Sequence, residues 1–231
     1  MLEDLYTDLQ NKSSPERAVF VSRFFKTGKG QYGEGDIFAG ISNPDARAIA
    51  KKHAQLPLTD IEKLLQNPIH EYRFVALVLL TNRFTKSNTD QRESLVACYL
   101  RNLRFVNNWD LVDTSCHKII GPYLLNKDRS LLYELVESSD LWTQRISIIS
   151  TFHFISKGQF SDTLRLAAHL LPHPHDLIHK AVGWMLREVG KRDELVLEEF
   201  LGEHTRQMPR TALRYAIEKF PESKRKYYLA L

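Results

Sequence analysis

Apolar residues along this chain recur three and four positions apart, and rarely two apart. "DIEKLLQ", "YRFVALVLLTNRF", "LLYELVESS", "TLRLAAHLL" and "LVLEEFL" each carry one apolar stripe, the spacing of amphipathic α-helices. Alternating strand patterns are nearly absent, and the β-branched residues fall inside the helical stripes. Breakers separate the stripes at "NPI", "KSNTD", "LPHPHD" and "HTRQMPR". The pattern predicts an all-α fold.

Several of these helices resemble one another. "EYRFVALVLL", "NNWDLVDTSC", "WTQRISIIST", "IHKAVGWMLR" and "PRTALRYAIE" each open on a polar or basic residue and run into an apolar stripe. Aligning Arg73, Trp109, Arg145 and Lys180 gives steps of 36, 36 and 35 residues, and a fifth copy follows near Arg210. Shorter helical segments lie between the copies. A helix pair recurring every ~35 residues marks an α-solenoid, an α-α superhelix of HEAT-like repeats, here read as one domain over residues 1–231. Stacked pairs would line up equivalent helices, so Trp109, Asp113, Arg145, Lys180, Trp184 and Arg187 are expected to converge on one exposed concave surface.

Composition narrows the class. The 231 residues are 43% hydrophobic with 10 Gly and 9 Pro, a globular balance. Two cysteines, Cys98 and Cys116, cannot build a disulfide framework, which fits a reducing cytoplasm. Neither a signal peptide at "MLEDLYTDLQ" nor an apolar run of membrane-spanning length is visible, so no membrane partner is expected. Net charge is only +4. From Pro209 onward, however, Arg210, Arg214, Lys219, Lys224, Arg225 and Lys226 face only Glu218 and Glu222.

Cations along a concave face suit phosphates, and duplex DNA is the natural ligand for a long groove. A carboxylate there is anomalous unless something positive must be held beside it. In a helix Trp109 and Asp113 share a face one turn apart. An N3- or N7-alkylated purine is cationic, and breaking its glycosidic bond builds positive charge on the sugar. Asp113 could stabilise that oxocarbenium-like state and orient water. Tryptophan faces attract cations by ~0.5–2 kcal/mol each.

"NWDLVD", "LWTQR" and "KAVGWMLRE" resemble signature segments of the AlkD-type DNA alkylation-repair glycosylases, which are built from HEAT-like repeats, and "FAGISNPDARAIAKK" resembles their N-terminal segment. The resemblance covers most of the chain. It implies hydrolytic excision of 3-methyladenine and 7-methylguanine without metal or nucleotide cofactor, through backbone contacts and with no pocket for a flipped base. By motif, Trp109, Asp113 and Trp184 match the catalytic cleft. Arg145 and Arg187 match phosphate contacts, and Ser42, Asn43 and Arg47 match a segment touching the duplex further along. Lys180 and His153 lie on the same expected DNA-facing surface. The chain departs from that pattern in three places. Asn108 stands where a second aromatic is usual, His153 where a lysine is usual, and the glycine-rich "TGKGQYGEGD" at 27–36 is longer.

Other features read as structural. Trp142 is expected in the core, and Asp110 as a first-turn acid at the helix dipole. Cys116 and His117 point about 100° apart on a helix and make no dyad. Pro172 and Pro174 break the spacing of His169, His173, His175 and His179 as metal ligands. The glycine-rich stretch lacks the Lys-Ser/Thr ending of a P-loop and is either a loop that orders on DNA or an ordinary long connection. The leading expectation is a monomeric cytoplasmic DNA glycosylase for cationic alkylpurines, nucleoid-associated when bound. The alternatives are a catalytically silent scaffold that binds distorted or branched duplex, and a peptide-binding solenoid.

Overall fold

The computed structural model describes all 231 residues, and the only strand-like pairing is one isolated bridge between Ile37 and Ile69. The helices group into two compact units, residues 1–119 and 120–231. The first holds α1 (Leu2–Asn11), α2 (Pro15–Phe24), α3 (Asn43–Lys52), α4 (Leu58–Leu65), α5 (His70–Lys86), α6 (Thr89–Arg101) and the start of α7 (Trp109–Leu124), inside which the division falls. The second continues with α8 (Ser130–Val136), α9 (Leu141–Ser150), α10 (Phe152–Ile155) and α11 (Ser161–Leu170). It ends with α12 (Asp176–Gly190), α13 (Glu194–His204), α14 (Arg210–Ala216) and α15 (Glu222–Ala230). No helix is long and apolar enough to cross a membrane.

Capping chemistry sets several of the helix starts. Ser14, Ser42, Asp140 and Asp193 accept hydrogen bonds from the backbone N–H three residues on, and Asn88 with Gln91 forms a reciprocal capping box. Each unit is built around one central helix. In the first, α5 is buried all round from His70 to Thr81 and packs against α3, α4 and α6. In the second, α12 packs against α9, α11, α13 and α14.

The five related segments lie in α5, α7, α9, α12 and α14, with α6, α8, α11 and α13 among the helices between them. The repetition is one of helix pairs and not of residues. Trp109 opens α7, whereas Arg145 and Lys180 are the fifth residues of α9 and α12. Equal steps in sequence conceal unequal loops, so a shared offset does not place side chains at equivalent heights. Trp142 is in the core as expected, at the buried start of α9.

Close approach of α14 to α12 depends on Gly183. A Cβ at that position would stand 2.5 Å from the Ala212 carbonyl oxygen and 2.5 Å from the Tyr215 Cβ. Gly183→Ala should therefore cost about 1–3 kcal/mol and lower Tm by at least a few degrees. Gly202→Ala, with nothing within 4 Å of its added methyl, should be neutral or slightly stabilising. Thermal melting followed by circular dichroism checks both, and an unchanged Gly183→Ala variant would contradict the close packing.

Candidate active site

In the first unit the start of α7 borders a cavity of about 370 Å³. Phe24, Phe25, Phe38, Phe74 and Trp109 form its aromatic lining, and Asp110, Asp113 and Thr114 contribute from α7. Asn43 and Arg17 also line it. The Trp109 ring lies parallel to that of Phe25, with centroids 5.1 Å apart and planes 10° apart, and meets Phe24 edge-on at 6.0 Å. Phe25 thus covers one face of the indole expected to meet a cation.

Behind these rings is a buried charge cluster. His70 Nδ1 lies 3.1 Å from Asp36 and Nε2 lies 2.9 Å from Asp110. Phe38 stacks on the imidazole at 4.5 Å, and Phe25 tilts against it at 5.1 Å. Arg73 donates to Asp36, to Asn107 at 3.1 Å and to the carbonyls of Asn67 and Pro68. Burial opposes the charge on His70, but Asp110 and Asp36 together push its pKa up to about 9. Burial likewise opposes the Asp36 carboxylate, yet His70, Arg73 and Asn108 hold its pKa below the usual range.

This cluster extends one expectation and gives Asn108 a role. Asp110 is not simply a first-turn acid facing the helix dipole; it is the ion-pair partner of a buried imidazole. Asn108 is fully buried and joins two segments: its amide nitrogen donates to Asp36 at 2.8 Å, and its oxygen accepts the Trp109 N–H at 2.9 Å. The residue that departs from the family pattern therefore ties the end of the glycine-rich segment to the start of α7. Within that segment Gly30 and Gly35 take positive φ, and Gly33 packs so tightly that a Cβ would meet the Phe25 carbonyl at 2.5 Å. Glu71, next to His70, accepts the N–H groups of Ala39, Gly40 and Ile41, which fixes the strap leading into α3.

The N-terminal candidates divide by role. Ser42 is committed to α3: its oxygen accepts the Asp45 N–H at 3.2 Å and its hydroxyl donates to the Asp45 carboxylate at 2.5 Å. Asn43 is exposed beside the cavity. Arg47 is exposed on α3, with its guanidinium 5.2 Å from the Phe74 ring centre. Burial and the Arg47 charge lower the pKa of Lys118, so two cations stand close enough to repel.

The second unit holds the other candidates. Trp184 on α12 is half-buried, its ring 5.9 Å from Phe152, and Arg192 lies over Phe152 at 5.8 Å. Arg187 donates to Glu218, and its Nε is 3.9 Å from Glu188, which also pairs with Lys191 at 2.7 Å and Arg192 at 3.1 Å. Lys180 pairs with Asp176 at 2.6 Å. Arg145 is not on the surface: it is 5% exposed and donates to the Leu177 carbonyl in the first turn of α12. Burial, then Lys157, lowers the pKa of half-buried His153, leaving it without the standing charge of the lysine usual in the family. In the histidine cluster, ring nitrogens of His173, His175 and His179 are engaged with Gln144 and with backbone groups around the start of α12.

Asp36, His70, Phe25 and Phe38 were not singled out by the sequence pattern. "FF" beside a glycine-rich stretch ending in aspartate was the available signal, but nothing local pairs Asp36 with residues 34 and 72 positions away.

An all-α protein of paired helices, with a carboxylate in an aromatic cavity at the start of one of them, defines the class. A model described as DNA alkylation repair enzyme matches residues 5–220, and the chain belongs to that family. Comparison with curated proteins gave no match. Among solved structures, a predicted DNA alkylation repair enzyme from Enterococcus faecalis is similar at TM-score 0.72 and 20% identity, covering 91% of this chain and 98% of that one. AlkD2 from Streptococcus mutans is similar at TM-score 0.57 and 13% identity, covering 90% and 98%. Both share the fold.

The fold favours charged His70, so the stability it contributes is full below about pH 6.5 and is lost as pH rises through about 9. The difference is on the order of 3 kcal/mol. Urea unfolding at about pH 6 and about pH 9.5 should show this loss in the wild type and little of it in His70→Gln. An equal pH dependence in both proteins would remove His70 as its source.

Proposed function

We propose that this alkylation-repair protein is a DNA glycosylase that excises positively charged purines, such as 3-methyladenine and 7-methylguanine, by hydrolysis. The observation that carries this reading is Asp113 lining an aromatic cavity together with Trp109, in a chain of the DNA alkylation repair family. In the proposed step water adds to the sugar C1′ as the C–N bond breaks, the bonding electron pair leaves with the base, and the proton released from the water passes to solvent. That pair neutralises the cationic purine, so no general acid is needed to protonate the leaving group. Asp113 stabilises the positive charge developing on the sugar and orients the water, and the aromatic lining favours cation over neutral base. Arg47, Lys180 and Arg187 serve as phosphate contacts, and Trp184 as an aromatic contact of the second unit.

A second reading, binding without cleavage, is favoured by the stacking of Phe25 on Trp109, which leaves less indole face for a cation.

Single-turnover excision of 7-methylguanine, uracil and hypoxanthine from matched duplexes separates the two. The wild type should release only 7-methylguanine, and Asp113→Asn should be slower by about 10²–10³-fold while still binding DNA. Excision of a neutral base, or an unaffected Asn variant, would refute the mechanism; no excision with intact binding would establish the second reading. Arg47→Ala should weaken binding to all duplexes alike and lower the salt slope by about one. A loss that depends on base sequence would refute a phosphate contact.

A further inference from the structure

Helix α2 has no buried residue, and it carries Val19, Phe20 and Phe24 at 55%, 71% and 61% exposure. With about 100° between successive residues, Phe20 and Phe24 lie roughly 40° apart on its outward side. Exposed Arg17 and Arg23 flank the pair, one on either side, and exposed Lys26 follows the helix. Exposed Glu16 shares the outward side and offsets one of these three cations, so the patch keeps a smaller net positive charge. Single exposed apolar residues are ordinary, but two phenylalanines one turn apart between arginines form a patch. The patch is continuous with the candidate site, because Phe24 meets the edge of Trp109.

Cations beside exposed aromatic rings are complementary to a phosphate backbone beside exposed base faces. An intact duplex hides those faces, whereas an abasic gap leaves neighbouring bases partly unstacked. We infer that α2 is a wedge helix: Phe20 and Phe24 stack on an unstacked base beside an abasic gap in duplex DNA, while Arg17 and Arg23 hold the flanking phosphates. This rests on the DNA-binding reading above and extends it to the species that excision leaves behind. Continuity with the cavity favours this occupant over a lipid surface, which would present anionic headgroups without a planar ring to stack.

The test uses the full chain and Phe20→Ala, a substitution at an exposed position outside the cavity lining. One duplex carries 2-aminopurine beside a tetrahydrofuran abasic analogue, and its partner has the same sequence intact. The wild type should prefer the abasic duplex and change its 2-aminopurine fluorescence. Phe20→Ala should lose about 5- to 150-fold of the affinity for abasic DNA, with binding to intact duplex unchanged, and Phe20→Trp should restore both affinity and fluorescence change. A preference and a fluorescence change that persist in Phe20→Ala overturn the wedge. So does Phe20-dependent sedimentation with anionic phospholipid vesicles, which would assign the patch to a membrane surface. Wild type that binds neither duplex defeats the DNA-binding reading itself, whereas equal binding of both duplexes by wild type defeats only the wedge.

Discussion

The first unit depends on one buried imidazolium. His70 is 3% exposed at its side chain and lies between the carboxylates of Asp36, at 2% exposure, and Asp110. With Arg73 the cluster contains two cations and two anions, so it is neutral as a whole while no member could stand alone. Removing one partner from a buried ion pair typically costs about 3–5 kcal/mol, although a well-packed apolar replacement of the whole group can be as stable. The cluster therefore matters more for where segments lie than for net stability. It joins the end of the glycine-rich segment, the start of α5 and the start of α7. Trp109 and Asp113 inherit their positions from it, since both follow Asn108 and flank Asp110 on the same helix.

The helical architecture was legible because its cause is local. Periodic apolar stripes, capping residues and breakers each act within a few positions, and the helix pairs fall where those signals lie. That Trp109 and Asp113 share one helix face was legible for the same reason, being one turn apart; that they line a cavity was not. The charge cluster was not, because its members are distant in sequence and only tertiary packing brings them together. Nor could spacing alone show that Arg145 is buried. An arginine in a polar opening to an apolar stripe looks like a surface cation, but the Leu177 carbonyl it donates to is 32 residues away. The resemblance carried the family correctly and carried that side chain's exposure wrongly.

Two departures from the family pattern have different physical weight. Asn108 replaces an aromatic surface with hydrogen bonds, and the nearby ring area comes instead from Phe24 and Phe25 of another segment. His153 replaces a standing charge with a group whose pKa burial depresses, and it packs beside Gly121, where an added Cβ would meet its own Cβ at 2.7 Å.

Arg187 already has an internal anion in Glu218, and Glu218 also holds Lys219 at 2.9 Å. An anion that takes the Arg187 nitrogen held by Glu218 must exchange with that carboxylate rather than fill a vacant site. The displaced Glu218 keeps its charge near the newcomer, and Lys219 is the neighbour left to compensate it. A lone anion gains little from such a swap, whereas a polyanion held at other points can drive it to completion. On the proposed DNA-binding reading, engagement at that nitrogen is therefore favoured for a ligand already gripped elsewhere.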